Sequence, residues 1–188
     1  TNQQASVFTR MTMQLEKAIG YSFIKHIANT SAIHRHPALQ FDMVRLGIGL
    51  YGVDEKQSLQ NVTTLRTTIS QIKQIQPGES VGYNRRAVVN RPSTIATVRI
   101  GYADGYPRLL GNGAGKMLVN GKLAPVIGNV CMDMTMLDIT GIPAGEGDDV
   151  IVFGETLPVS EVAAWADTIA YEMLTNISQR VKRVYYEE

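Results

Sequence analysis

Three segments of the sequence place polar or ionisable side chains beside glycines, which is a pattern typical of ligand sites. In the segment 41–52 (FDMVRLGIGLYG), Arg45 lies among apolar residues and is followed by Gly47 and Gly49. An arginine in an apolar strand is costly unless its guanidinium is paired or meets a ligand, and glycines let a ligand approach backbone amides. With the hydroxyl of Thr30, which ends the preceding strand candidate, these residues would suit a phosphorylated cofactor. A buried ion pair at Arg45 is the alternative.

Two further segments present a tyrosine beside glycines. Tyr83 follows a glycine after the turn at 76–79, and Tyr102 lies in the segment 100–108 (IGYADGYPR), which also carries Arg108. A tyrosine hydroxyl can act as a general base only where neighbouring groups lower its pKa from about 10. The alternative in both places is a turn whose aromatic side chain belongs to the core or the surface.

The remaining candidates for nucleophilic or metal chemistry are weak. Cys131, the single cysteine, lies in the hydrophobic segment 128–133 (GNVCMD) without an adjacent histidine, which is typical of a structural thiol. His26, His34 and His36 have no cysteine or carboxylate cluster nearby, so no metal site is predicted.

Before about residue 60, helix-like and strand-like patterns alternate along the chain. Apolar residues collect on one face over 7–19, which predicts a helix that ends at Gly20. Apolar stretches predict strands over 23–28 and 41–52, separated by a short helix or turn at 32–39. This alternation predicts part of a parallel α/β fold.

After residue 60 the signals are those of a β domain. Stretches rich in β-branched residues predict strands at 62–75, 86–90, 93–100, 117–119, 123–127, 132–139, 150–153 and 177–186. The pair Asn120-Gly121 predicts a hairpin, and one helix is predicted after Pro158. The basic residues at 180–183 (RVKR) are interpreted as the exposed charges of the last strand.

The composition limits the classes of function. The chain has 188 residues, of which 44% are hydrophobic, so it can form a core; its one cysteine fits a reducing compartment. A net charge of +1 gives no electrostatic footprint for nucleic acid or anionic membranes. No apolar run approaches the roughly 20 residues that cross a bilayer. Because the sequence begins with Thr1 rather than methionine, we expect it to lie inside a longer protein.

Six segments, in order, resemble the C-terminal portion of alanine racemases. They are HIANTSA (26–32), FDMVRLGIGLYG (41–52), QPGESVGY (76–83), IGYADGYPR (100–108), NGKLAPVIGNVCMD (120–133) and NISQRVKR (176–183). The family has an N-terminal (β/α)₈ barrel, which binds pyridoxal 5′-phosphate, and a C-terminal, mostly β domain that reaches the partner subunit's active site. The resemblance thus implies an α+β, mostly β chain. Residues 1–55 would be the last units of an incomplete barrel, and residues 56–188 a small β-barrel-like domain with one helix.

The resemblance assigns four residues to the cofactor. Thr30 corresponds to the hydroxyl residue that contacts the phosphate, and Gly47 and Ile48 to the residues whose backbone amides donate to it. Arg45 corresponds to the arginine that faces the pyridine nitrogen. An arginine keeps its own proton, so it cannot readily protonate that nitrogen. The weaker electron sink suits racemisation, because a long-lived carbanion invites transamination. Gln179 stands where some members have a tyrosine that contacts the phosphate, and no contact is assigned to it.

Three further residues are assigned to the substrate. Tyr83 corresponds to the catalytic tyrosine, which moves the α-proton on one face of the substrate. Tyr102 corresponds to a tyrosine at the active-site entrance, and Met132 corresponds to the residue whose backbone N–H binds the substrate carboxylate. The second base in the family is the lysine that holds the cofactor. No lysine of this chain lies in that motif, so we expect a fragment that does not racemise alone. The lysines are Lys17, Lys25, Lys56, Lys73, Lys116, Lys122 and Lys182.

The implied function is that of a pyridoxal-phosphate-dependent isomerase in the cytoplasm, which interconverts L- and D-alanine by two-base proton transfer and supplies D-alanine for cell-wall peptidoglycan. The implied partners are a small amino acid and a second copy, in a homodimer with shared active sites; no nucleic acid, membrane or metal is implied. Two alternatives remain open. One is a racemase of another amino acid (serine, lysine or a broad set), and the other is a non-catalytic β domain used only for dimerisation.

Overall fold

The computed structural model describes residues 1–54 and 59–186. The chain divides into two compact units, Thr1–Val62 and Thr63–Glu188. The predicted domain boundary at residues 55 and 56 lies outside the described residues. The first unit is helical and irregular, and the second is mostly β.

The first unit begins with the 18-residue helix α1 (Asn2–Ile19). It ends at Gly20, whose φ of 80° and N–H bond to the Glu16 carbonyl form a left-handed cap. The predicted end is confirmed, whereas the predicted start at residue 7 is too late. The first turn is polar (NQQAS), so it adds nothing to the apolar periodicity, although glutamine and alanine favour helices.

The predicted short helix or turn at 32–39 is confirmed. Helix α2 (Thr30–Arg35) is followed by a 3₁₀ helix at Pro37–Leu39. A second 3₁₀ helix, Ile48–Tyr51, falls where a strand is predicted, and it ends at Gly52 with a φ of 73°.

The predicted strands at 23–28 and 41–52 are wrong. The two segments lie side by side and are joined by the bond from the Arg45 N–H to the Ala28 carbonyl (2.9 Å) and by a single parallel bridge between Asn29 and Arg45. A parallel strand normally belongs to a sheet whose two faces are both covered by helices. The Asp42 N–H also donates to the Lys25 carbonyl at 3.1 Å, but the described part of this unit contains no regular ladder.

The second unit contains eight strands and two α-helices among the described residues. The strands are β1 (Leu65–Ile75), β2 (Ser80–Val81), β3 (Ala87–Val88), β4 (Ser93–Val98), β5 (Lys116–Val119), β6 (Lys122–Pro125), β7 (Thr135–Asp138) and β8 (Asp149–Phe153), and the helices are α3 (Val159–Trp165) and α4 (Ala170–Thr175). Each strand predicted between residues 62 and 153 overlaps one of these, and β2 was not predicted.

Six of the strands form one antiparallel sheet in the order β6-β5-β8-β1-β4-β7. The long strand β1 pairs with β8 through its first residues and with β4 through its last, with a register shift between Ile69 and Gln71. A bridge between Val126 and Leu137 joins the two edges of the sheet, so it is nearly closed. The prediction of a mostly β fold with a small barrel-like domain is therefore confirmed.

The sheet encloses the core of the second unit. Its fully buried side chains include Val98, Met117, Val119, Leu137, Val150 and Phe153. The predicted hairpin at Asn120-Gly121 joins β5 to β6, with φ values of 46° and 77°. Two successive positive φ angles are those of a type I′ turn, and asparagine followed by glycine tolerates them best.

The end of the chain differs from the prediction. Two helices, α3 and α4, replace the single one, with Asp167 at a φ of 53° between them. The predicted strand at 177–186 is wrong, and this segment is irregular. Because the sheet edges already meet each other, they offer little room for another strand. The segment is held instead by the Arg183 guanidinium, which donates to the carbonyls of Ile177, Ser178 and Val181.

Candidate active site

In the first unit, the hydroxyl of Thr30 and the backbone of Gly47 are joined. Thr30 is buried at the start of α2, where the Asn29 carboxamide accepts the Ala32 N–H at 3.0 Å. The Thr30 Oγ1 accepts the Gly47 N–H at 2.9 Å. Since the oxygen accepts this bond, the hydroxyl proton can be donated to another acceptor.

The 3₁₀ helix that begins at Ile48 packs closely on Thr30. A Cβ at Gly49 would lie 2.9 Å from the Thr30 Cγ2, which is too close for any side chain. Glycine at this position therefore lets the turn approach the hydroxyl residue. Ile48 itself is buried, and its amide is the first of the turn.

Arg45 is exposed, so the alternative of a buried ion pair is wrong. Its Nη2 donates to the Ile27 carbonyl at 3.4 Å, and its backbone bridges to Asn29. A cavity of about 310 Å³ within the first unit is lined by Asn29, Ser31, Arg35 and Arg45, among others. Its two arginines give it a positive lining that suits an anionic group.

In the second unit, Tyr83 projects from a loop whose backbone is fixed. It follows Gly82, which has a φ of 73°, and its side chain is 72% exposed. The Asn129 Nδ2 donates to the Tyr83 carbonyl at 3.4 Å. The phenol is therefore presented to the outside from an anchored main chain.

Tyr102 and Met132 lie on two loops that are bonded through their backbones. The Tyr102 N–H donates to the Cys131 carbonyl and the Ala103 N–H to the Met132 carbonyl, both at 3.0 Å. A Cβ at Gly101 would lie 2.3 Å from the Cys131 carbonyl oxygen, so only glycine permits this approach. Tyr102 is 43% exposed and Met132 is 53% exposed.

The segment 128–133 contacts both tyrosine loops. It reaches the Tyr83 loop through Asn129 and the Tyr102 loop through the carbonyls of residues 131 and 132. The structure thus places the Tyr83 loop and the Tyr102 loop against the segment that contains Met132, within the second unit. The other four site residues cluster in the first unit; they are Thr30, Arg45, Gly47 and Ile48.

Cys131 lies in this segment, partly buried. Burial raises the pKa of its thiol, and the positive charge of Arg108 offsets part of that rise. Its sulfur contacts the Asn129 carbonyl at 3.7 Å. A raised pKa lowers the thiolate fraction, so this is the environment of a structural thiol rather than of a nucleophile.

An ion-pair network that sequence reasoning missed joins three loops. The Arg180 Nε lies 2.7 Å from the Asp104 Oδ1, and its Nη2 lies 2.5 Å from the Asp133 Oδ1. Hydrogen bonds to Asp104 and then to Asp133 raise the pKa of the guanidinium. The charged residues of 180–183 are exposed, as interpreted, but they do not belong to a strand, and Arg180 is ion-paired. The available signal was that Asp104 and Asp133 lie inside the IGYADGYPR and VIGNVCMD motifs.

The described residues contain neither a metal-binding cluster nor a membrane-spanning helix. Within residues 1–54 and 59–186, no group of three or more histidine, cysteine, aspartate or glutamate side chains could hold a metal ion. In the same part of the chain, every helix is too short or too polar to cross a membrane.

Comparison with protein families matches the chain twice, in order. The description "Alanine racemase, N-terminal domain" matches residues 1–55, and "Alanine racemase, C-terminal domain" matches residues 62–185, which is more than half of the chain. The chain belongs to the alanine racemase family. The resemblance inferred from the motifs is confirmed.

Similar proteins carry the same family name. Alanine racemase 1 of Clostridium acetobutylicum is 44% identical over 174 residues, covering 86% of this chain and 45% of that protein. The solved alanine racemase of Streptomyces coelicolor A3(2) has a TM-score of 0.93 at 34% identity, over 98% of this chain and 51% of that one. A Bartonella henselae alanine racemase solved with covalently bound pyridoxal phosphate has a TM-score of 0.89 at 35% identity, over 98% of this chain and 52% of that one. The chain spans about half the length of these relatives.

Proposed function

We propose that this chain is the C-terminal portion of a pyridoxal-phosphate-dependent alanine racemase. The enzyme would interconvert L- and D-alanine by two-base proton transfer in the cytoplasm, as a homodimer with shared active sites, and supply D-alanine for peptidoglycan. Residues 1–55 would complete its barrel, and residues 56–188 would be its C-terminal β domain. The main support is the ordered match of both domain descriptions, together with 44% identity to a protein named alanine racemase.

The residues of the first unit fit the phosphate end of the cofactor. A phosphate needs several donors, and here the Thr30 hydroxyl proton and the Ile48 amide lie beside Gly47, whose own amide orients the hydroxyl. Arg35 and Arg45 line a cavity together with Asn29 and Ser31, the sequence neighbours of Thr30, and add positive charge there. When bound, pyridoxal phosphate supplies an electron sink that makes the Cα–H of an attached amino acid acidic.

The lysine that would hold the cofactor is not assigned to this chain. In the first unit, the Lys25 Nζ lies 2.7 Å from the Glu16 Oε2 and is engaged in that ion pair. Arg45 would face the pyridine nitrogen. Because its guanidinium stays protonated, it would donate a hydrogen bond there without delivering a proton.

Tyr83 would move the proton at the substrate Cα on one face. Its exposed phenol and anchored backbone leave it accessible to a substrate held by another part of the enzyme. The Met132 N–H would bind and orient the substrate carboxylate, and Tyr102 would line the entrance and exclude water. Met132 belongs to the segment 128–133, and the loops that carry Tyr83 and Tyr102 are hydrogen-bonded to this segment. The segment would therefore hold the three residues in fixed relative positions.

The proposal is tested in a completed enzyme, made by joining the upstream half of the Clostridium acetobutylicum relative to residue 1. The change Tyr83→Phe is expected to lower racemisation of alanine by about 100-fold or more, because one of the two acid–base groups is lost. The absorbance of bound cofactor should stay unchanged. Rates are measured by chiral chromatography.

The matched control is Tyr185→Phe, since Tyr185 is 86% exposed near the end of the chain. This variant should racemise at the parent rate. Loss of cofactor absorbance in Tyr83→Phe would show that its role has been misassigned. A parent that turns over serine or lysine faster than alanine would overturn the substrate assignment, and an inactive parent would overturn the proposed activity.

A further inference from the structure

The Arg180 guanidinium joins two loops that are distant in sequence. Its Nε reaches Asp104 in the loop 101–105, and its Nη2 reaches Asp133 directly after Met132. The other oxygen of Asp104, Oδ2, accepts the Gly101 N–H at 2.9 Å. One carboxylate therefore closes its own loop and at the same time holds the arginine.

The segment that carries Arg180 packs directly against the first of these loops. The Ser178 N–H donates to the Asp104 carbonyl at 3.0 Å. A Cβ at Gly105, whose φ is 105°, would lie 2.3 Å from the Asn176 carbonyl oxygen. The backbone that carries Arg180 is therefore held against the loop 101–105. Because of this, its two ion pairs fix the relative positions of the two loops as well as reducing their negative charge.

The charge of Asp133 has a consequence for the neighbouring residue. In the proposed function, the N–H of Met132 binds the substrate carboxylate, and Asp133 is the next residue. An unpaired carboxylate there would repel the incoming anion. The Arg180 guanidinium, which Asp133 shares with Asp104, offsets part of the charge of Asp133, while the backbone bonds from residues 102 and 103 hold the same loop.

We propose that Arg180 is a positioning residue for substrate binding: it fixes the Tyr102 loop against the Met132 loop and offsets part of the negative charge of Asp133. This inference rests on the proposed function and deepens it. It concerns affinity for the substrate carboxylate and leaves the proton transfer to Tyr83 and its partner base. It predicts that loss of Arg180 raises KM much more than it lowers kcat.

The first test measures geometry in the chain as it stands. Amide hydrogen exchange of Tyr102 and Ala103, followed by NMR, should become at least about fivefold faster in Arg180→Gln than in the unmodified chain. Arg180→Lys should give an intermediate rate, because one ammonium cannot reproduce the two-sided guanidinium fork. Unchanged exchange in Arg180→Gln would overturn the proposal.

Two variants keep this test decisive. Arg91→Gln removes an ion pair of the same kind, to Asp138, elsewhere in the second unit. It should leave the exchange rates of Tyr102 and Ala103 unchanged. Asp133→Asn retains the pair between Arg180 and Asp104, so it preserves the fold if Arg180→Gln does not. It should still speed exchange at Ala103, and a rate equal to that of the unmodified chain would overturn the proposal.

The second test separates binding from catalysis in the completed enzyme. Arg180→Gln should raise KM for alanine about tenfold and change kcat by no more than about twofold. The double variant Arg180→Gln with Asp133→Asn removes both charges and should recover most of the lost affinity. A purely structural role would instead lower kcat and leave the double variant no better than the single one. If the parent enzyme is inactive, the proposed function fails while the exchange test still decides whether Arg180 joins the loops.

Discussion

Tyr106 is a residue whose ring and hydroxyl have opposite effects on stability. The side chain is 1% exposed, and its hydroxyl has no hydrogen-bond partner among the residues that the structure describes. Burial raises the pKa of this phenol well above its usual range. A Cβ at Gly115 would lie 2.7 Å from the hydroxyl oxygen, so the phenol fills the space beside that glycine. The ring stabilises the core, whereas the unpaired hydroxyl costs free energy.

The change Tyr106→Phe keeps the ring and removes the buried hydroxyl. We expect it to raise the free energy of unfolding by about 1 kcal/mol, measured by urea denaturation of the chain. Tyr185→Phe, at an exposed position, should leave the free energy of unfolding unchanged. A decrease in Tyr106→Phe would show that the hydroxyl makes a stabilising bond in solution.

At the scale of the elements, one carboxylate joins two turns of the six-stranded sheet in the second unit. The Asp148 Oδ2 accepts the Gly145 N–H at 2.9 Å within its own turn and the Asn120 Nδ2 at 3.0 Å from the hairpin between β5 and β6. The Gly145 bond, and then the Asn120 bond, lower the pKa of this carboxyl. The ionised form is therefore favoured in the folded chain.

This lowered pKa predicts the sign of a pH effect. The contribution of Asp148 to stability is present above the ordinary aspartate pKa of about 3.9 and is lost as the pH falls through the lower folded value. Asp148→Asn should therefore reduce the loss of unfolding free energy between about pH 6 and pH 3, measured by urea denaturation. Asn120→Ala removes only the second donor and should give an intermediate slope. Identical acid profiles for Asp148→Asn and the unmodified chain would contradict this.

At the scale of the whole molecule, the chain spans about half of its relatives, and α1 exposes several apolar side chains. Met11, Met13 and Leu15 are at least half exposed. Such a surface on a monomer is typical of an interface. In the proposed enzyme, the upstream half would cover part of this surface and would contribute the cofactor lysine.

The chain alone is therefore expected to show no racemisation of alanine, because it carries one of the two proposed bases. Mixing it with the separately produced upstream half of the Clostridium acetobutylicum relative should restore turnover and cofactor absorbance. The same mixture made with the Tyr83→Phe chain should bind the cofactor without turnover. Racemisation by the chain alone at the rate of the completed enzyme would contradict the assignment of the second base to the upstream half.

Local features of the molecule could be read directly from the sequence. Gly20 ends α1, and Asn120-Gly121 forms the hairpin turn, because a positive φ depends on the residue itself and its immediate neighbours. The strands of the barrel were located for the same reason, since alternation and β-branched residues act within each stretch. The six motifs, taken together and in order, identified the family.

Features that depend on distant partners were decided only by the tertiary structure. The segments 23–28 and 41–52 have strand composition, but within the described part of their unit they are joined by one bridge rather than a ladder. Arg180 pairs with aspartates 76 and 47 residues away, and no local pattern encodes which carboxylates it meets. Hydrogen-bond and ion-pair partners are selected by how the chain packs, so composition and spacing predict which segments have the potential to pair, and the packed fold determines which of them do.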